Sequence, residues 1–290
     1  MTPQTPARLF VFLAREAHVG VILQRGPSDW VQMIHWDTKN DVFTPGQWMK
    51  GHFWVRRSGI SPDGQLLIYA VALPYKKIHN PNHPPNPEYG AGWTAVSKPP
   101  YFTALALWPH NVNGGFFVDN RTIYVTSWTT HPNHEPQGLK LVPNAIETDW
   151  FTINGWIKLL DPYNDFMMKG DQAYIRLSKI VTWRKDVDDF SYSLVVKEGY
   201  GGMVLGGRPP GKRYIDNIEY SLIKHPTNQE SVLKDVVWAD FDQQKRLVLA
   251  KAGKLFSAAV VDGGLALTEL ADFNTNQPEA IESPAWAKRW

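Results

Sequence analysis

Short apolar runs separated by polar turns recur along this chain. The clearest case is Trp54-Val55 and Leu66-Leu67-Ile68-Tyr69, set on either side of Ser61-Pro62-Asp63-Gly64. Pro62 presets φ for the second position of a tight turn, Asp63 suits the third, and Gly64 takes the strained exit. The stretch therefore predicts a β-hairpin. Upstream, strands are expected near residues 9–14, 18–24 and 30–36, the last closed by the polar turn Asp37-Thr38-Lys39-Asn40. The run Leu9 to Ala14 is shorter than a signal-peptide core and far shorter than a membrane span. Strand, polar turn and strand return around Asp119-Asn120, more poorly over 180–196, and again around Asp242.

Placing the turns near residues 7, 63, 120, 187 and 243 gives a step of roughly 60 residues, the mark of a repeat built from one supersecondary unit. Trp48, Trp108 and Trp286 fall on the same step and are expected in equivalent, largely buried places. A strand, a Ser-Pro-Asp-Gly turn and a strand at this interval resemble the blades of β-propellers of the TolB-like and Trp-Asp repeat kind. The resemblance covers residues 8–48, 54–73, 114–126 and 236–270. One turn keeps the whole motif, and residues 143–180 match nothing in it. It implies an all-β, five-bladed β-propeller, with a six-bladed ring, its degenerate blade within 130–180, as the alternative. Residues 1–290 read as a single domain. Pairing of N- and C-terminal strands in one blade would close the ring and remove exposed edges.

Composition narrows the function classes. Thirty Lys and Arg against 28 Asp and Glu leave a net charge of +2, which argues against a protein built to bind nucleic acid. With no cysteine there are no disulfides, thiolate metal sites or cysteine nucleophiles. No membrane span is legible, and a cytoplasmic location is expected.

Three insertions interrupt the pattern: 79–90, rich in proline; 128–138, which echoes its Pro-Asn-His; and the glycine-rich 199–213. Each reads as a surface loop, where function concentrates. His79, His83, His131 and His134, with Glu88 and Glu135 nearby in sequence, form a candidate site for zinc or a similar divalent cation. Their spacing matches no helical zinc motif, and loop histidines capping turns are the plainer reading. Gly206 to Lys212 has phosphate-loop spacing, but Arg213 replaces the magnesium-binding hydroxyl and two prolines remove amides, so a nucleotide cofactor is not expected. Among 13 tryptophans, Trp93, Trp128, Trp150 and Trp156 sit outside the repeat and are the candidates for an exposed ligand platform. Asp149, Asp161, Asp165 and Asp216 stand in contexts suited to channel carboxylates. Asp63, Asp119 and Asp242 belong to hairpin turns.

A legible scaffold without a legible catalytic set points to a binding module for a protein or small-molecule ligand, presenting its Pro/His-rich loops on one face. The alternative is an enzyme: a metal-dependent hydrolase or lyase using the loop histidines, or a glycosidase using channel carboxylates.

Overall fold

Five sheets, each cut from one contiguous stretch, make up the computed structural model, which describes residues 5–26, 28–73, 88–126, 129–143, 150–159, 179–187, 191–200, 218–261 and 264–290. The first holds β1 (Arg8–Leu13), β2 (Val19–Arg25), β3 (Trp30–Asp37) and β4 (Val42–Lys50) in that order. In the second, β5 (His52–Phe53) and β6 (Gly59–Ile60) flank a 3-10 turn at Val55–Arg57 and both pair with β7 (Leu67–Ala72). Next to β7 come β8 (Gly92–Ser97) and β9 (Ala106–Pro109). The third sheet is β10 (Gly115–Phe117), β11 (Thr122–Val125) and β12 (Lys140–Pro143), its last pair parallel. A single helical turn, α1 (Trp150–Ile153), precedes the fourth: β13 (Ile157–Leu159), β14 (Lys179–Asp186), β15 (Tyr192–Tyr200), β16 (Ile218–Lys224) and β17 (Gln229–Val232). The fifth is β18 (Val236–Phe241), β19 (Leu247–Lys251), β20 (Lys254–Val261) and β21 (Gly264–Asp272). The architecture is the expected five-bladed β-propeller, and residues 130–180 contribute no sixth blade among the described residues.

Blades are covered on both faces by their neighbours, so their central strands are apolar throughout instead of alternating. Leu9 to Phe12 of β1 and Leu67 to Val71 of β7 are all buried. The hairpin turns carry the polar chemistry. Asp63 Oδ1 accepts from Ser61 Oγ at 2.6 Å and Gln65 N at 3.0 Å. Asp119 Oδ1 takes the amides of Arg121 and Thr122, and Asp242 Oδ1 those of Gln244 and Arg246. One aspartate role thus recurs in three blades. Gly64 has φ +76°, and a Cβ there would meet Val19 of the first blade at 2.7 Å, so turn and blade packing both demand glycine. Neighbouring turns are laced together: Asn120 Oδ1 accepts from Asp63 N at 2.8 Å, and Glu16 N donates to Pro62 O at 2.8 Å.

Three expectations are corrected. The first blade turns at 14–18, between β1 and β2, and not near residue 7. Among the described residues no strand is shared between the first and fifth blades, since β1–β4 and β18–β21 each form their own sheet. The seam between these two blades is sealed by side chains. Gln243 Nε2 donates to Ala14 O and Val19 O, and Arg246 grips Asp41 through Nη1 and Nη2 at 2.8 and 2.9 Å. The segment after β21 then runs as a strap over the first blade to the second. Gln24 donates to Phe273 O, Asn276 Nδ2 bonds Gln24 and Gln32, Gln47 donates to Ile281 O, and Lys98 Nζ reaches Arg289 O at 2.8 Å. Phe273 is 4 % exposed, and burying such a ring stabilises by about 1.5–3 kcal/mol. Finally, Trp48 and Trp108 both lie on fourth strands of their order, β4 and β9, but Trp286 sits in the strap, half exposed against Tyr101. The 60-residue tryptophan step therefore does not extend to it. No helix among the described residues is long and apolar enough to cross a membrane.

Candidate functional site

Arg56 leaves the 3-10 turn of the second blade and enters the ring interior. Its Nε donates to Glu198 Oε1 of β15 at 2.7 Å. Its guanidinium carbon lies 4.4 Å from the ring centre of Phe151, 4.9 Å from Trp150 and 5.1 Å from Phe10. These partners come from the first blade, from α1 and from the fourth blade, which meet one another only inside a ring. The side chain as a whole is 22 % exposed, yet Nη1 and Nη2 are buried, with Tyr220 beside the guanidinium. Burial acts to lower the Arg56 pKa, but Tyr220 beside it and Glu198 carry it above its ordinary value. Burial likewise pushes the Tyr220 phenol up, against the pull of Arg56.

A second pair repeats this design. Lys185 Nζ donates to Asp240 Oδ1 at 2.7 Å and lies 5.7 Å from the Trp156 ring, with Asp240 only 4 % exposed. Phe151 stacks on Trp183 at 4.7 Å and meets Trp156 edge-on at 5.7 Å. The two buried interior carboxylates, Glu198 and Asp240, are each held by a cation. The arrangement is built to pin blades together.

Trp150 and Trp156, expected as an exposed platform, are buried at 5 % and 3 % and wall this interior. Trp93 is half-buried on β8 and packs against the core, and Trp128 lies outside the described residues. Asp149, Asp161, Asp165 and Asp216 also lie outside them. Sequence reasoning missed Arg56, Glu198, Lys185 and Asp240. One signal was available for Glu198: the period-two face of Leu194 and Val196, both buried, continues to it.

The three insertions share a position, since each follows the strand after the recurrent turn: β7, β11 and β15. His79 and His83 lie outside the described residues, as does 201–213 of the glycine-rich loop. The described ends of the other two insertions are docked together. His131 Nε2 stands 2.7 Å from Glu88 Oε1, and its ring stacks on Tyr89 at 5.6 Å. Asn133 N donates to His131 Nδ1 at 3.2 Å, which in the neutral ring leaves the proton on Nε2, facing Glu88. His131 is 5 % exposed, with its backbone N bonded to Leu107 O, while Leu107 N donates to His134 O, so the loop covers the edge of β9. Burial and Glu88 raise the Tyr89 pKa. The His131 and His134 rings are 5.2 Å apart, but both His131 nitrogens are engaged. No three His, Asp or Glu side chains converge among the described residues.

One further constellation imitates a nucleophile set. Ser193 Oγ lies 2.6 Å from Asp186 Oδ1 and 2.7 Å from His225 Nε2, and His225 Nδ1 is 3.1 Å from Asn228 Oδ1. Ser193 is 1 % exposed, which keeps its hydroxyl away from solvent. The set ties β14, β15 and the turn after β16 together.

No protein-family model and no curated protein matches the chain. Three solved structures match the chain at low identity. The β-propeller domain of the Trilobed protease from Pyrococcus furiosus is 13 % identical, covers 90 % of this chain and 84 % of its own, and has a TM-score of 0.30. The periplasmic gluconolactonase of Pseudomonas aeruginosa is 11 % identical over 94 % of this chain and 86 % of its own, at a TM-score of 0.31. An ulvan lyase, from a family of polysaccharide lyases, is 10 % identical over 92 % and 74 %, at 0.19.

Proposed function

We propose that this propeller is a binding module that engages a protein or small-molecule ligand through the insertions of its second, third and fourth blades. The observation that carries the reading is the docking of two of those insertions through Glu88, Tyr89 and His131. A loop surface held this way loses little conformational freedom on binding, which favours recognition. The charge-paired interior supports the same reading, since it offers no unpaired acid and base among its described residues. A cytoplasmic setting is part of this reading, and the near-balanced charge of +2 disfavours nucleic acid as partner.

A photo-crosslinking side chain placed at the exposed Asn133 or Glu135 tests this in cells of the source organism, with the exposed Lys39 as the control site. A discrete adduct from the loop positions, absent at the control, is expected. Adducts of equal yield at both places would overturn the reading. So would turnover of a polysaccharide or lactone that is lost in Glu198→Gln or Asp240→Asn, because the interior would then be catalytic.

A further inference from the structure

The fourth and fifth blades meet along two rows of side chains set by strand register. Asp240, Val248, Ser257 and Thr268 are successive partners across β18, β19, β20 and β21, so they share one face of the fifth blade. Lys185, Leu194, Leu222 and Ser231 do the same across β14 to β17 of the fourth. Lys185 Nζ meets Asp240 Oδ1 at 2.7 Å, which turns the two faces toward each other. Leu194 and Val248 come next and are fully buried. Farther out, the fifth blade offers only Ser257, Thr268 and, two residues along β20, Ala259. Such short side chains do not fill the space between facing sheets, about 10 Å deep. A cavity of about 280 Å³ is left there, walled by Tyr192 and Leu222 of the fourth blade and by Ser257, Ala259 and Thr268 of the fifth. Ala259 and Thr268 are exposed, so the cavity opens to solvent.

The chemistry of the lining selects the ligand. The hydroxyls of Tyr192, Ser257 and Thr268 have no hydrogen-bond partner among the described residues, although Ser257 and Thr268 stand directly opposite each other. Each of them can both donate and accept. The cations at the cavity are already engaged, Arg246 with Asp41 and Asp242, and Lys245 with a partner of its own. No carboxylate lines the space among the described residues. The ligand is therefore uncharged, with hydroxyls at its edge and an apolar face to set against Tyr192 and Leu222. Ligand sites occupy about 300–1,000 Å³, so this one, at the small end, admits a single ring.

We propose that this cleft binds one pyranose ring, as a free sugar or as the terminal residue of a glycan. Its C–H face lies against Tyr192 and Leu222, and its hydroxyls exchange hydrogen bonds with the three unspent ones. The site stands apart from the insertions that carry the proposed function. Tyr192 begins β15 and the glycine-rich insertion follows the far end of that strand, roughly 26 Å away at 3.3 Å per residue, so either proposal can fail alone.

The test is saturation-transfer NMR on the whole chain with glucose, galactose, mannose and N-acetylglucosamine, and with the acyclic polyol sorbitol as control. Saturable transfer to at least one pyranose, absent for sorbitol, is expected. The methyl glycoside of that sugar separates the two sources: undiminished binding means a glycan end, and lost binding a free sugar. Thr268→Val and Tyr192→Phe each remove one hydroxyl and keep the shape of the side chain. Once confirmed as folded by circular dichroism, each should weaken the affinity by about fivefold or more. If either variant fails to fold, the other decides. No saturable transfer to any of the four sugars, equal transfer to sorbitol, or undiminished affinity in the folded variants overturns the proposal.

Discussion

Replacing Glu198 by Gln removes the counterion of a guanidinium whose Nη1 and Nη2 are already buried. Glu198 is itself only 9 % exposed, so the pair belongs to the buried class. Breaking such a pair from one side costs about 3–5 kcal/mol, because the remaining charge stays out of water. Arg56→Met alone should cost a similar amount, since it strands the carboxylate and gives up the contacts with Phe10, Trp150 and Phe151. The double replacement removes both charges and keeps an apolar filler against those rings. Its penalty should therefore fall below either single one by about 2 kcal/mol or more. Urea unfolding at neutral pH, followed by tryptophan emission, reads all four proteins, and Trp150 reports from the contact itself. A loss of less than about 1 kcal/mol for Glu198→Gln, or a double variant equal to the sum of the singles, would refute the buried-pair reasoning.

Two other outcomes are expected. The Arg246 hydrogen bond, opposed by burial, holds the Asp41 pKa below its ordinary value. A depressed folded pKa gives stability that is present above the unfolded value, about 3.9, and lost as pH falls through the folded one. Asp41→Asn should accordingly cost about 1 kcal/mol at pH 6 and progressively less below pH 4, as read by denaturant melts at each pH. His131→Ala should cost about 1–2 kcal/mol by releasing Glu88 and the Asn133 amide. Elemental analysis of untagged protein settles the four-histidine metal proposal: one equivalent of zinc, lost in this variant, is what it requires.

Much of the scaffold was legible because hairpin turns are local. Ser61 to Gly64 must turn by the chemistry of those four residues, and the Asp119 and Asp242 turns repeat one carboxylate role within a few positions of chain. The interior was not legible. Arg56 and Glu198 are 142 residues apart, and Lys185 and Asp240 are 55 apart, so neither pairing leaves a trace in a local window. The stretch 143–180, which fits no blade pattern, contains α1 and β13. Its Trp150, Phe151 and Trp156 fill the middle of the ring, a task with no period of its own. Tryptophan spacing misled because a bulky ring suits many burial sites. Trp286 serves the strap, where no blade geometry applies.

Because the described strands of each blade come from one contiguous stretch, assembly has an order in time. The first blade has all four of its strands once residue 50 has been made, whereas the fifth is finished only at residue 272. At about 5–20 residues per second, those 222 residues take roughly 11–44 s of synthesis. Throughout that interval the first blade is complete in its own hydrogen bonding but uncovered on the side that β18 and the strap will occupy. Leu9 to Phe12, buried in the finished fold, then lack their final partners. The finished ring is sealed late, by glutamines, an arginine and one phenylalanine ring, so residues made long after β1 decide whether its apolar strand stays covered.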